Sequence, residues 1–269
     1  MSNNTYIATT MADRFVPKMS YTYTYRSAQK YRSPIVWSTT VSEAGNILSL
    51  GYLASGRKWN KEGKTLFKNE YSQFFKVETD FVKYWRINEN STLVGHLNGG
   101  VIWSYGNSDT APYTEMFYVG GANSIRAFNV RGVGPGEQNY SAVGNKYANI
   151  LRTGDIKLQA NLEYRPKIWG DLYGALFLDA GNVWMKDADF SEYEAFKFNR
   201  FYKQLAVGTG LGIRYDMGMF VCVWIGVSVC ICRMIPARAD STISQASRRT
   251  RVFILPWVIH SKASLPHTP

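Results

Sequence analysis

The sequence has few charged residues, few cysteines and no apolar run long enough to suggest a bundle of membrane helices. Charged side chains make up 19% of its 269 residues, and the mean hydropathy is −0.23. Hydrophobic residues nevertheless make up 45% of the chain, and aromatic residues alone make up 15%. This composition excludes a disordered chain and a coiled coil, and the length suffices for a sizeable core.

A targeting segment is also missing. The chain begins Met-Ser-Asn-Asn-Thr, without the basic start and apolar run of a signal peptide. We therefore expect either a cytosolic protein or a chain that lacks its start.

The composition changes after Phe220. Residues 221–269 contain six of the 31 basic residues, one of the 20 acidic ones and no tyrosine. All three cysteines lie there: Cys222, Cys230 and Cys232. They lack the second pair that a zinc site needs, so we expect no metal and no cofactor. We predict a folded region over 1–220 and an aberrant tail over 221–269, out of frame or disordered. The alternative is a genuine extension that carries cysteines.

The net charge of +11 at first suggests a nucleic-acid partner. Five of these charges belong to the tail, and basic and acidic residues are interspersed in the remainder. We therefore expect no nucleic-acid partner.

A period of two dominates the first 220 residues. It is clearest from Ile156 to Tyr164, where Lys157, Gln159, Asn161 and Glu163 alternate with Ile156, Leu158, Ala160, Leu162 and Tyr164. Alternate side chains of a strand point to opposite faces, so such a strand has one apolar and one polar face. Similar patterns cover 70–85, 92–105 and 205–216, with weaker candidates at 18–26, 35–42, 46–54, 113–118 and 172–180.

These strands predict an all-β fold of about nine strands, mostly an antiparallel meander, because no helix of useful length is evident. A soluble sandwich and a transmembrane barrel both fit the alternation. Several runs are longer than the five or six residues usual in soluble sheets, which favours the barrel. Aromatic residues near strand ends also suit the interfacial girdles of a barrel: Tyr84, Trp85, Trp103, Tyr105, Tyr164, Trp184 and Tyr215.

A long loop at about 119–155 separates two of the strands. It contains Gly120-Gly121 and then the segment Ser124-Ile125-Arg126-Ala127-Phe128. No Gly-Lys-Ser/Thr follows the glycines, which argues against a phosphate loop. A late strand carries Phe177-Leu178-Asp179-Ala180-Gly181.

These two motifs, in this order, resemble the BamA/TamA superfamily of outer-membrane assembly and secretion barrels. The family's loop tip reads Arg-Gly-Phe/Tyr, so Ala127 departs from the common glycine, while the Phe-x-Asp-x-Gly motif of the strand matches in full. The resemblance implies about nine strands of a 16-stranded barrel, with the long loop folded into the lumen. It also implies that Arg126 contacts Asp179 and holds the loop there.

The strand pattern agrees with that contact. Asp179 shares its face with Phe177, and a carboxylate that faced lipid would be costly, so Asp179 is expected to face the lumen. Glu163 and Arg214 fall on the polar faces of their strands, and we expect both to face the lumen as well.

The resemblance implies no enzyme but a barrel in the bacterial outer membrane that inserts or translocates proteins. Its partners would be outer-membrane lipid, unfolded outer-membrane or secreted proteins, and periplasmic or lipoprotein accessory subunits. The family's signal sequence and periplasmic repeats are not seen, so we expect a fragment that is not functional alone. A passive porin or solute channel is the alternative. A hydrolase is disfavoured because the first 220 residues offer only His96 as an imidazole base and no Gly-x-Ser-x-Gly segment.

Overall fold

The structure is a computed structural model that describes residues 14–28, 32–59, 63–66, 68–137, 152–186, 194–216 and 221–228. Of residues 216 and 221–228 only the backbone is described. The described residues form ten strands: β1 (Lys18–Arg26), β2 (Ile35–Ala44), β3 (Thr65–Leu66), β4 (Asn69–Glu70), β5 (Phe74–Asn88), β6 (Ser91–Ser104), β7 (Ile156–Trp169), β8 (Leu172–Trp184), β9 (Ala206–Asp216) and β10 (Val221–Ser228). One α-helix, α1 (Asn46–Ala54), follows β2, and a 3-10 turn (Phe201–Lys203) precedes β9.

Eight strands form one open antiparallel sheet in the order β1-β2-β5-β6-β7-β8-β9-β10. The short strands β3 and β4 form a separate hairpin. Neighbours in the large sheet are neighbours in the chain apart from this hairpin, so the sheet is the predicted meander. It is a partial antiparallel transmembrane barrel wall, which confirms the predicted fold class.

The two ends of the sheet differ in their connections. At one end, here called the short-turn end, β5 and β6 are joined by residues 89–90, and β7 and β8 by residues 170–171. At the opposite, long-loop end, the connections run over residues 45–73, 105–155 and 185–205. Outer-membrane barrels have short periplasmic turns and longer extracellular loops.

One face of the sheet, here called the outer face, is apolar and exposed. The strand register places Phe81 beside Leu97 and Leu162 beside Leu178, so the row continues from strand to strand. Large apolar side chains that lie exposed along this face include Tyr21, Tyr23, Trp37, Leu97, Trp103, Leu162, Leu176, Leu178, Leu211 and Ile213. A sheet with this much exposed apolar surface fits contact with lipid on that face.

The opposite, inner face is polar. Hydroxyl pairs cross from β1 to β2, with Thr22 Oγ1 and Thr40 Oγ1 at 2.9 Å and Ser20 Oγ and Ser42 Oγ at the same distance. Further along the sheet this face carries carboxylates, amides and cations from β5 to β9.

The hydrophobic core lies between the inner face at the long-loop end and the loop between β6 and β7. Ile102 and Val183 from the sheet meet Phe117, Val119 and Ile125 from the loop, and all five are at least nine-tenths buried. The long loop is therefore a packed part of the fold, which brings its tip to the inner wall.

Two weaker strand predictions are wrong. Residues 46–54 form α1, because Gly45 turns the chain with a φ of 75° and Ser49 is then buried against Tyr71 and Gln73. A short apolar run does not distinguish a helix from a strand by its period. Residues 113–118 form no strand either, since Phe117 makes only an isolated bridge to Gly154.

Some boundaries also differ from the prediction. The loop between β6 and β7 covers 105–155, which is longer than the predicted 119–155; of it, residues 138–151 lie outside the described residues. The backbone of β10 pairs with β9 beyond Phe220. The division of the chain after Phe220 stays a prediction, because 229–269 lie outside the described residues. In the described part of the chain, no helix has the length and apolarity to cross a membrane.

Candidate functional site: the loop tip on the inner wall

A compact turn holds the loop tip that carries Arg126. Gly120 and Gly121 both adopt the left-handed region, with φ of 105° and 98°. The Gly121 amide donates to the Phe128 carbonyl at 2.8 Å, and the Gly120 amide donates to Ser124 Oγ at 3.2 Å. A Cβ at position 120 would lie only 2.1 Å from the Asn129 carbonyl oxygen, so the turn requires glycine there.

Arg126 and Asp179 are joined by three hydrogen bonds. The Arg126 backbone amide donates to Asp179 Oδ2 at 3.0 Å, Nε donates to the same oxygen at 2.9 Å, and one terminal nitrogen donates to Oδ1 at 2.8 Å. The Asp179 side chain is completely buried. The guanidinium therefore grips the carboxylate with two parallel bonds, a strong and directional form of ion pair.

Glu163 completes the surroundings of this arginine. The other terminal nitrogen of Arg126 donates to Glu163 Oε2, whose second oxygen accepts from Arg165 Nε at 2.6 Å. The guanidinium carbon lies 3.7 Å from the centre of the Phe177 ring. Burial lowers the pKa of Arg126, while the hydrogen bonds and charges of Asp179 and Glu163 raise it more, so this pKa lies above its ordinary value. Arg126 is thus a permanent cation between two carboxylates.

Amides on β7 connect the tip to the wall. Asn161 Nδ2 donates to Asp179 Oδ1 and to the Ser124 carbonyl, both at 2.8 Å. Ser124 Oγ donates to Gln159 Oε1 at 2.7 Å. His96 extends the network, with Nδ1 at 3.1 Å from Asn161 Oδ1 and Nε2 at 2.8 Å from Asp80 Oδ2. Main-chain and side-chain groups of the tip are therefore hydrogen-bonded to side chains of β7 and β8.

The remaining residues of the two motifs pack closely. Ile125 is fully buried, and its Cδ1 lies 3.2 Å from where a Cβ at Gly181 would be. Ala127 does not adopt a left-handed φ, so its departure from glycine causes no backbone strain. Its Cβ would be 2.3 Å from a Cβ at Gly208, so the glycine of β9 makes room for it. Phe128 packs against the core.

The structure thus brings nine of the ten predicted site residues together. Arg214 is separate, because it lies on β9 opposite Tyr173 and lines a cavity at the short-turn end. Sequence reasoning did not single out three further residues. They are Gln159, which binds Ser124, Asn161, which bridges Asp179 and the loop, and Gly208, which leaves room for Ala127. Their polar or glycine positions in alternating strands were a signal, but their partners lie in a distant loop.

A comparison with protein families identifies the fold around this site. The model of the "Omp85 superfamily domain" matches residues 48–222, which is more than half of the chain. The chain belongs to the Omp85 superfamily. The matched residues of this Omp85 chain include both motifs of the loop-tip site, and the match confirms the resemblance drawn from the sequence.

A similar curated protein is the outer membrane protein assembly factor BamA of Nitratidesulfovibrio vulgaris, 32% identical over 121 residues. The alignment covers 44% of this Omp85 chain and 14% of that relative. Among solved structures, BamA from Haemophilus ducreyi lacking POTRA domains 1–3 is similar at 14% identity and a TM-score of 0.45. That match covers 80% of this chain and 51% of the other. The chain therefore spans only part of the relatives it matches.

Proposed function

We propose that this chain is part of a bacterial outer-membrane barrel that inserts or translocates proteins. The observation that carries the proposal is the seating of Arg126 between Asp179 and Glu163, within a chain that belongs to the Omp85 superfamily. The relative in Nitratidesulfovibrio vulgaris bears the name of an outer membrane protein assembly factor. Unfolded outer-membrane or secreted proteins are the proposed substrates, and periplasmic or lipoprotein subunits the proposed accessory partners.

The apolar outer face supports a position in the outer membrane. A row of exposed leucines and aromatic residues covers strands β1 to β9, while the hydroxyl, amide and ionic groups lie on the inner face. Lipid would contact the first face and water the second. No chemical step is required of such a protein: an incoming strand pairs with an exposed strand edge through main-chain hydrogen bonds.

The packing of the loop supports assembly over passive diffusion. Residues of the loop and of the inner wall form one buried core, and the loop tip adds the buried ion pair between Arg126 and Asp179. A loop anchored in this way fixes the strands of the inner face relative to one another where the loop contacts them. A simple diffusion channel requires only a charged lumen.

Replacement of Arg126 by alanine at the native gene tests the proposal. We expect the variant to lose folded outer-membrane proteins, measured by their heat-modifiable migration on gels, while its own level in the membrane is followed by immunoblot. Arg200→Ala, in another loop of the long-loop end, is the matched control and should leave assembly unchanged. Unchanged assembly together with altered conductance of Arg126→Ala in planar bilayers would overturn the proposal in favour of a solute channel.

A further inference from the structure

The inner face carries a second polar region, at the opposite end of the sheet from the loop tip. A cavity of about 1160 Å³ opens there at the short-turn end. Among the described residues that line it, five are arginines and one, Glu89, carries a carboxylate. The arginines are Arg26, Arg32, Arg86, Arg165 and Arg214.

Four of these arginines lie on alternate strands of the sheet. Arg26 is on β1, Arg86 on β5, Arg165 on β7 and Arg214 on β9, each near the short-turn end of its strand. The register places Arg86 and Arg165 on either side of Thr92 of β6. Adjacent strands lie about 4.8 Å apart, so cations on alternate strands follow one another at roughly 10 Å.

The arginine of the first turn is fixed in place. Arg32 donates from Nε to the Arg86 carbonyl at 3.0 Å and from a terminal nitrogen to the Ile87 carbonyl at 2.7 Å. These bonds tie the turn between β1 and β2 to the end of β5. Fixed cations bind an anion without first having to be ordered.

Among the described residues, three of the five guanidinium groups form no ion pair with a carboxylate: Arg32, which donates to main-chain carbonyls, and Arg26 and Arg86. Arg165 is paired with Glu163, whereas in the described part of the chain neither Arg26 nor Arg86 forms an ion pair. Both side chains are exposed to the cavity's solvent. The cavity therefore holds positive charge that its own carboxylate does not neutralise.

The other lining residues suit a polypeptide. Asn88, Asn90 and Thr92 supply amides and a hydroxyl that can pair with main-chain groups, and Tyr84 and Tyr173 supply aromatic surface. The cavity lies on the inner face, away from the apolar outer face. An extended chain in the polyproline II conformation has three residues per turn and rises about 3.1 Å per residue, so every third side chain returns to the same face after about 9 Å.

We propose that the arginine-lined cavity at the short-turn end binds an extended polypeptide segment whose acidic side chains pair with Arg26, Arg86 and their neighbours. The short-turn end faces the periplasm in outer-membrane barrels, so the segment would come from that side. Fork-shaped guanidinium groups bind carboxylates in pairs of parallel bonds. The proposal goes beyond the assembly activity and does not require it, since binding is measured without any assembly.

A fluorescent nonapeptide of three Ser-Gly-Glu repeats tests this inference with the full chain in detergent micelles. Fluorescence anisotropy should show saturable binding that weakens as salt is raised, because the contacts are ionic and solvent-exposed. The same peptide with glutamine in place of glutamate should not bind. We expect Arg86→Gln to weaken binding about tenfold, the loss of one charge-assisted contact.

Arg26→Gln is the second variant, because the exposed Arg26 side chain makes no hydrogen bond to the described residues, so we expect its replacement to leave the fold unchanged. It should weaken binding in the same way. Arg200→Gln, at the long-loop end, is the matched control and should bind as the parent does. Equal binding of the glutamine peptide, or equal losses in Arg200→Gln and Arg26→Gln, would overturn the proposal. Displacement of the peptide by inorganic tripolyphosphate at the same concentration as by unlabelled peptide would also overturn it, in favour of a site for compact phosphates.

Discussion

Arg126 donates three hydrogen bonds to the carboxylate of Asp179, one from its backbone amide and two from its guanidinium. The two residues are 53 positions apart in the chain, one on a loop and one on strand β8. The backbone bond fixes the path of the loop, and the side-chain bonds neutralise a carboxylate that has no exposure to water. The contact thus fixes the position of the loop and also balances the charge of the buried Asp179 carboxylate.

Asp179→Asn should destabilise the fold strongly. The change keeps the shape of the side chain but leaves Arg126 with an uncompensated charge on that side, and breaking a buried ion pair costs about 3–5 kcal/mol. Urea unfolding in lipid vesicles, followed by tryptophan fluorescence, measures this change in the free energy of unfolding. Asp171→Asn, in the exposed turn between β7 and β8, should change it by less than about 0.5 kcal/mol. Equal effects of the two variants would contradict the account.

The space between Ala127 and Gly208 predicts a rescue experiment. Gly208→Ala would bring two Cβ atoms to 2.3 Å, so we expect the loop tip to leave the wall and become sensitive to protease. In the double variant with Ala127→Gly, the nearest atoms of residue 127 are its Cα at 3.5 Å and its nitrogen at 3.6 Å. The double variant should therefore regain the resistance of the parent.

Gly99→Ala is the control for that experiment. Its added Cβ would meet only the Lys157 carbonyl oxygen at 3.7 Å, an ordinary contact. It should be as resistant to protease as the parent. A protease-sensitive double variant, or a resistant Gly208→Ala, would show that the two residues do not compete for space.

The strand pattern alone was enough to predict most of the sheet. Candidate strands at 18–26 and 172–180 were found because hydrophobic alternation follows directly from having one face toward lipid and one toward water. The helix α1 was missed for a specific reason. Its conformation depends on the left-handed turn at Gly45 and on the burial of Ser49 against residues more than 20 positions away. Such tertiary contacts leave no periodic signal.

Predictions for the site divide along the same line. Asp179 and Glu163 could be placed on the inner face by parity, and the family resemblance supplied Arg126 as the partner of Asp179. The bond from Arg126 to Glu163 was not predicted. Asn161 and Gly208 could be placed on a face too, but their roles depend on the route of the loop. That route depends on the core formed by residues such as Phe117, which no local pattern reveals.

Leu178→Arg tests the assignment of the outer face. Leu178 lies near the middle of β8, is 48% exposed and stands beside Leu162 in the apolar row. A guanidinium there would face lipid, and the expected cost is about 2–4 kcal/mol if the position is near the midplane. Thr24→Arg on the inner face of β1 is the control and should cost less than about 1 kcal/mol, since it faces water. Vesicle refolding with urea measures both, and a larger loss for Thr24→Arg would reverse the assignment of the faces.

Asn161→Asp tests the bridging amide. The substitution replaces a donor by a carboxylate at a position 2.8 Å from Asp179 Oδ1. Two carboxylates at this distance cannot both stay ionised without a large cost, so the variant should be destabilised at neutral pH and partly recover as the pH is lowered. Asn161→Ala, which adds no charge, should show no such recovery. Identical pH dependence of the two variants in urea unfolding would exclude the bridging role.

Hydrogen exchange at the Arg126 amide tests the central claim most directly, because this N–H donates to Asp179 Oδ2 at 3.0 Å. Mass spectrometry with residue-level fragmentation reads it in the full chain in micelles. The account predicts slow exchange in the parent and fast exchange in Asp179→Ala, while the amides of β7 remain protected in both. Fast exchange in the parent, or protection of Arg126 that survives the loss of Asp179, would contradict the claim that this contact holds the loop on the inner wall.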